Sequence, residues 1–165
     1  MSADKTILII NPGPTSTEIG IFTAGKMKVG AAVKHSDDEL RKFRNFWDQY
    51  DYRREAVLLV LKQGGFTMDE MDAIACRLGS VKPLPAGTYR VSARMLSDIK
   101  SGLFGGYPIN VGGIVAYDLG DQFNIPVITA APPAADLLRS SEMEELAEAA
   151  VRCLNHEEEL STYAG

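Results

Sequence analysis

The sequence predicts an α/β fold, a five-stranded mixed sheet flanked by helices, on three observations. Two short β-branched runs, Ile7 to Ile10 and Ile19 to Phe22, flank a cluster of Pro, Gly, Ser and Thr. After Ser36 the apolar period changes to that of a helix. Two further strand-sized apolar runs, Ala73 to Cys76 and Pro126 to Thr129, alternate with helical stretches.

The first two runs read as antiparallel strands joined by a tight loop, and a third strand from Lys26 to Val33 follows the Ala24-Gly25 turn. Ser36 and Glu39 have capping-box spacing, and Leu40, Phe43 and Trp47 recur at helical intervals, so a helix is expected from there. A second helix, Arg53 to Lys62, places Ala56, Val57, Val60 and Leu61 on one face and stops at Gly64-Gly65. Thr67 and Glu70 suggest a short capped turn before the fourth strand at Ala73 to Cys76. KPLPAGTYRVS is rich in Pro and Gly and reads as a loop, a usual place for ligand contacts after a buried strand.

Ser92 can cap a helix with Ala93, Met95, Leu96 and Ile99 inward, and a further helix runs from about Asn110 to Phe123. Pro126 to Thr129 is the fifth strand, and Ser141 with Glu144 caps a last helix bearing Met143, Leu146, Ala150 and Leu154. Helical crossovers give parallel neighbours, so strands four and five should lie parallel to the first, the second running antiparallel. This is a ribonuclease-H-like layout, which hosts nucleases, sugar kinases, actin-like ATPases and acyl kinases alike.

At 165 residues, with 45% apolar and 24% charged residues, the chain has the size and make-up of one globular domain. A net charge of -5 offers no footprint for nucleic acid. Arg41, Lys42, Arg44, Arg53 and Arg54 are interleaved with Asp48, Asp51 and Glu55 and read as solvated helix surface. No apolar run is long enough to cross a bilayer, and no leader is evident, so a cytoplasmic protein with Cys76 and Cys153 reduced is expected. A nuclease on this layout needs carboxylates at strand ends, and the first strand, ILIIN, carries none.

The hairpin turn is the most informative segment. Asn11 to Thr17 would bring backbone N–H groups and three hydroxyls to one point, which suits a phosphate, although a polar hairpin without a ligand would look the same in isolation. NPGPTSTEIGIF resembles the phosphate hairpin of the butyrate kinases, usually Asn-Pro-Gly-Ser-Thr-Ser-Thr-Lys. His35-Ser36, Asp48-Gln49, DAIACRLGSVKPLPAGTYRVSARMLSD, INVGGIVAYDLGDQFNIPV and Leu154-Asn155 extend the resemblance over nearly the whole chain.

The resemblance implies the actin-like ATPase half of an acyl kinase, an N-terminal domain spanning residues 1–165 without the second kinase domain. It implies ATP and Mg2+ as cofactors and phosphoryl transfer to a carboxylate. By the resemblance, Asn11 and Arg77 are the catalytic candidates, and Gly13, Thr15, Ser16, Thr17 and Asn110 the phosphate-binding ones; no metal ligand is assigned. A planar guanidinium suits a carboxyl or phosphoryl group, so Arg77 at the end of the fourth strand reads better as functional than as a surface ion pair.

Four positions depart from the family pattern. Gly-Glu-His-Ala-Ser-Asn-Leu-Gly stands here as GGYPINVG, placing Tyr107 at the catalytic His and keeping Asn110. The aspartate after the fifth strand is Ala131, with Asp136 retained further on. Pro14 replaces Ser, and Glu18 replaces Lys with opposite charge. Catalysis of phosphoryl transfer rests on positioning and on neutralising negative charge, so these changes argue against a kinase acting alone. A phosphate- or ligand-binding or assembly module is expected, with an active acyl kinase completed by a partner chain as the alternative. Expected partners are a small phosphate or carboxylate ligand and a second copy or partner chain covering the face of the missing domain, with no nucleic acid and no membrane.

Overall fold

A computed structural model describes residues 4–79, 81–131 and 141–163. Its strands are β1 (Thr6–Pro12), β2 (Ser16–Thr23), β3 (Lys26–Lys34), β4 (Ala73–Cys76), β5 (Gly87–Arg90) and β6 (Val127–Ala131). The helices are α1 (Asp37–Leu40), α2 (Tyr50–Gln63), α3 (Ala93–Ser101), α4 (Ile109–Phe123) and α5 (Ser141–Leu154). The strands form one sheet in the order β3-β2-β1-β4-β6-β5.

The sheet has six strands where five were expected. β2 is antiparallel to β1 and to β3, and β4 and β6 continue the direction of β1, as the pattern of crossovers requires. The extra strand, β5, lies within the stretch read as a loop and pairs antiparallel with β6. Pro83, Pro85 and Gly87 hide it from periodicity, because its hydrogen bonds come from a strand far along the chain. Its outer edge is covered by the tail: Ser161 N–H donates to Thr88 O at 2.8 Å, and the Thr88 hydroxyl donates to Glu158 Oε1 at 2.7 Å.

The two faces of the central strands divide the core by alternation. Leu8, Ile10, Ile19, Ile21, Ile74 and Cys76 pack with Val57, Leu61, Leu96, Ile99, Val115 and Leu119 from α2, α3 and α4. Ile7, Ile9, Phe22, Ala73, Ala75 and Ile128 face Leu146, Ala147, Ala150 and Cys153 of α5. Burial on both sides explains why ILII reads as one continuous apolar run.

The helix expected from Ser36 lasts one turn. Its capping box forms with Glu39, but Asn45 accepts hydrogen bonds from the N–H groups of Trp47 and Asp48 and starts a separate 3-10 turn over Phe46–Gln49. The short capped turn at Thr67 and Glu70 is present, and Ser92 caps α3 through Met95 N–H. Met95, Leu96 and Ile99 are inward as expected, whereas Ala93 is exposed. The segment of Asp136 and the capping side chain of Ser141 lie outside the described residues.

Candidate functional site

Parallel strands β1 and β4 end at the same edge of the sheet, and Arg77 N–H donates to Ile10 O at 3.3 Å to tie the two ends together. Helix α4 starts over that edge, and its approach depends on glycines. A Cβ on Gly112 would fall 2.1 Å from Pro12 Cγ, and one on Gly113 would fall 1.9 Å from Leu78 Cδ2. Gly79 in turn lies against Ile109 and the Asn110 amide. Asn11, Arg77 and Asn110 are therefore brought to one edge by a strand end, a strand end and a helix start.

Asn110 is the most unusual of these. Its side chain is 0% exposed, and among the described residues neither Nδ2 nor Oδ1 has a hydrogen-bond partner. Burying an amide without partners costs roughly 1–3 kcal/mol, so native proteins rarely tolerate it. Asn11 is half-buried and donates from Nδ2 to Glu18 Oε2 at 2.9 Å across the β1-β2 pair. Glu18, where the family pattern has Lys, thus fixes the Asn11 amide with its nitrogen toward the carboxylate.

The turn between β1 and β2 is closed by Gly13 N–H donating to Ser16 O at 2.7 Å. Thr15 and Pro14 are exposed, and Gly13 and Ser16 half-buried. Thr17 differs: it is 1% exposed, and its hydroxyl contacts His35 Nε2 at 2.8 Å and accepts from Arg53 at 3.0 Å. Of the three hydroxyls expected at the turn's mouth, the Thr17 one is committed inside the protein. Tyr107, at the position of the family's histidine, is largely exposed in the loop before α4, and its carbonyl accepts from Asn110 N–H at 3.0 Å. The side chain of Ala131 lies outside the described residues.

Arg53, expected on a solvated helix surface, is fully buried beneath the turn. Its guanidinium donates to Gln49 Oε1 at 3.0 Å, Ser16 O at 3.0 Å, Thr17 Oγ1 at 3.0 Å and Pro14 O at 3.2 Å. Thr15 O meanwhile accepts from His35 N–H at 2.8 Å. Three successive carbonyls, which would repel an anion, are thus engaged within the protein. Because a trans peptide sets N–H opposite C=O, the Thr15 N–H points to the side of the turn away from Arg53. A signal for this role was present in the sequence, since Arg53 continues the stripe of Val57, Val60 and Leu61 at helical spacing.

His35 is buried at the end of β3, with Nδ1 3.1 Å from the Tyr52 hydroxyl, which itself donates to Glu39 Oε2 at 2.9 Å. Burial, and then the Arg53 cation, hold His35 below its ordinary value, with Glu39 acting the other way. Among the described residues no group of three or more His, Cys, Asp or Glu is placed to hold a metal, and no helix is long and apolar enough to cross a membrane.

No family model matches the chain. In sequence it is 37% identical over 132 residues to probable butyrate kinases from two strains of Clostridium botulinum, Eklund 17B and Alaska E43. The matched stretch is 80% of this chain and 37% of each relative, so the chain spans well under half their length. Among solved structures, T. thermophilus RuvC in complex with a Holliday junction substrate is similar with TM-score 0.50 and 14% identity, covering 93% of this chain and 94% of that one. Porphyromonas gingivalis acetate kinase gives TM-score 0.47 and 12% identity, covering 76% of this chain and 37% of that one. The likeness to RuvC concerns the fold alone. Over the 132 residues matched, the chain is related in sequence to the butyrate kinases.

Proposed function

We propose that this chain is a butyrate-kinase-like domain that binds phosphate, free or as the phosphoryl end of a larger ligand, where the hairpin turn meets the start of α4, and that it transfers no phosphoryl group alone. The observation that carries this reading is the buried Asn110 amide with neither atom partnered among the described residues, set in the first turn of a 15-residue helix. A helix start presents a positive dipole end, and an amide beside it adds a donor and an acceptor for phosphate oxygens. Arg77 at the neighbouring strand end has the charge and the planar fork for the same ligand or for a carboxylate.

ATP, when bound, would supply the transferable phosphoryl group, and Asn110, Arg77 and the turn Gly13–Ser16 are the residues to hold its phosphate oxygens. A protein-held Mg2+ fits less well, because no carboxylate cluster among the described residues would ligate it. The family position of a histidine is Tyr107, which offers a hydroxyl and no cation, and Glu18 adds a negative charge beside Asn11. With phosphoryl transfer dependent on charge neutralisation, this supports binding without turnover.

A second reading, an acyl kinase completed by a partner chain or second domain, is favoured by one feature. Leu103, Phe104 and Tyr107 are exposed on the loop leading into α4. Apolar side chains gathered beside a site suit a covering partner. Calorimetric titration with inorganic phosphate, Mg-ATP, ADP and butyrate tests the proposal. Saturable phosphate binding that is lost in Asn110→Ala supports it; no binding by the unaltered chain, or equal binding by Asn110→Ala, refutes it.

A further inference from the structure

The groups beneath the turn form one continuous hydrogen-bonded line, buried at Arg53, Thr17 and His35 and half-exposed at Tyr52 and Glu39, whose proton positions can be worked out. Glu39 carries a carboxylate, which only accepts, so the Tyr52 hydroxyl spends its proton on Glu39 Oε2 at 2.9 Å. The contact between Tyr52 and His35 Nδ1, at 3.1 Å, then needs the proton on His35, making Nδ1 the protonated nitrogen. Neutral His35 is left with Nε2 as an acceptor, and the Thr17 hydroxyl, 2.8 Å away, donates to it. Thr17 Oγ1 in turn accepts from Arg53 at 3.0 Å. From Thr17 to Glu39 each hydroxyl and ring N–H has one acceptor within the line, and the line has a single direction.

We propose that Arg53 and His35 are positioning residues for the hairpin turn, and that the turn is locked only while His35 is neutral with its proton on Nδ1. The inference deepens the phosphate-binding reading, on which its functional consequence rests, but the lock itself is a statement about the turn. A second proton on His35 would sit on Nε2 and face a hydroxyl already receiving Arg53. Thr17 would then accept from two cations, and its own proton would have no acceptor in the line. The groups facing His35 are Thr17 from β2, Tyr52 and Arg53 from α2, and Glu39 from α1; of these only Glu39 is negative, and it lies beyond the Tyr52 hydroxyl. The doubly protonated ring is therefore opposed at close range by Arg53 and favoured only at a distance by Glu39.

The lock acts on the turn through its backbone. Arg53 holds the carbonyls of Pro14 and Ser16 inward, and His35 N–H holds that of Thr15. Loosening the line frees these carbonyls to rotate toward the mouth, where they would oppose an anion.

The test is NMR of the full chain with 15N-labelled histidine and backbone, in the unaltered protein and in Tyr52→Phe, Thr17→Val and Arg53→Lys. The expected result at pH 7.5 is a His35 spectrum with Nδ1 protonated and Nε2 bare. Amide exchange at Ser16 and Thr17 should rise about tenfold in Tyr52→Phe and Thr17→Val, and similarly in the unaltered chain as His35 takes its second proton. Should Arg53→Lys not fold, the other two variants carry the test. A His35 protonated on Nε2 at pH 7.5, or turn amides that exchange alike in Tyr52→Phe, Thr17→Val and the unaltered chain, would overturn the proposal. Inorganic phosphate added to the same samples separates the two ideas: failure to bind with the lock intact defeats the phosphate reading alone.

Discussion

Arg53 and Thr17, on α2 and β2, meet inside the protein with guanidinium and hydroxyl 3.0 Å apart. The same guanidinium reaches Gln49 and two turn carbonyls, so a helix residue serves as the floor of a hairpin turn. Arg53→Ala should therefore cost about 3–5 kcal/mol, since it strands buried acceptors on the turn and leaves a void. Urea unfolding measures this; a loss under about 1 kcal/mol would mean that water replaces the guanidinium.

Asn110 should behave in the opposite sense. Removing a buried amide whose atoms lack partners among the described residues, near the start of a helix, relieves a desolvation cost and adds helix propensity. Asn110→Ala is expected to raise stability by about 0.5–1 kcal/mol in thermal or urea unfolding while abolishing phosphate binding. Lower stability in the variant would show that the amide is already satisfied at home.

Gly112 tests the contact that seats α4 over the end of β1. Gly to Ala within a helix normally stabilises by about 1 kcal/mol. Here the new methyl would lie 2.1 Å from Pro12 Cγ, so Gly112→Ala should instead destabilise by about 2–4 kcal/mol and weaken phosphate binding with it. Circular dichroism melts of the variant decide the sign.

Stability should fall on acidification below neutrality. His35 is held below its ordinary 6.5, so the unfolded chain takes up its proton first. The contribution is complete above pH 6.5 and is lost as pH falls toward the folded-state value. Glu39, lowered mainly by the Tyr52 hydroxyl and Ser36, adds a loss of the same sign below its ordinary 4.5. Urea midpoints measured from pH 8 to pH 4 should decline, and His35→Gln should flatten the upper part of that decline.

The isolated chain should form no butyryl or acetyl phosphate above background, read by hydroxylamine trapping with Mg-ATP at high protein concentration. If the part of its relatives that this chain does not span is the sole deficit, adding that remaining part of a related butyrate kinase restores turnover. If the substitutions matter as well, recovery also requires Tyr107→His and Ala131→Asp. Robust turnover by the unaltered chain, abolished in Arg77→Ala, would overturn the reading of binding without catalysis.

By itself the sequence determined the elements whose cause is local. Period-two and period-3.6 patterns set β1, β2, α2 and α4, and side chains bonding their own backbone set the caps at Ser36, Thr67 and Ser92. It also placed Asn11 and Arg77 at strand ends and Asn110 at a helix start, because those positions follow from where each run of apolar residues stops. Tertiary structure alone decided the rest. β5 exists because β6 and the tail supply hydrogen bonds that Pro- and Gly-rich residues cannot advertise. Arg53 is buried because the hairpin it lands on offers three oxygen acceptors, from Pro14, Ser16 and Thr17, and a sequence pattern records a helix face without recording what that face will meet.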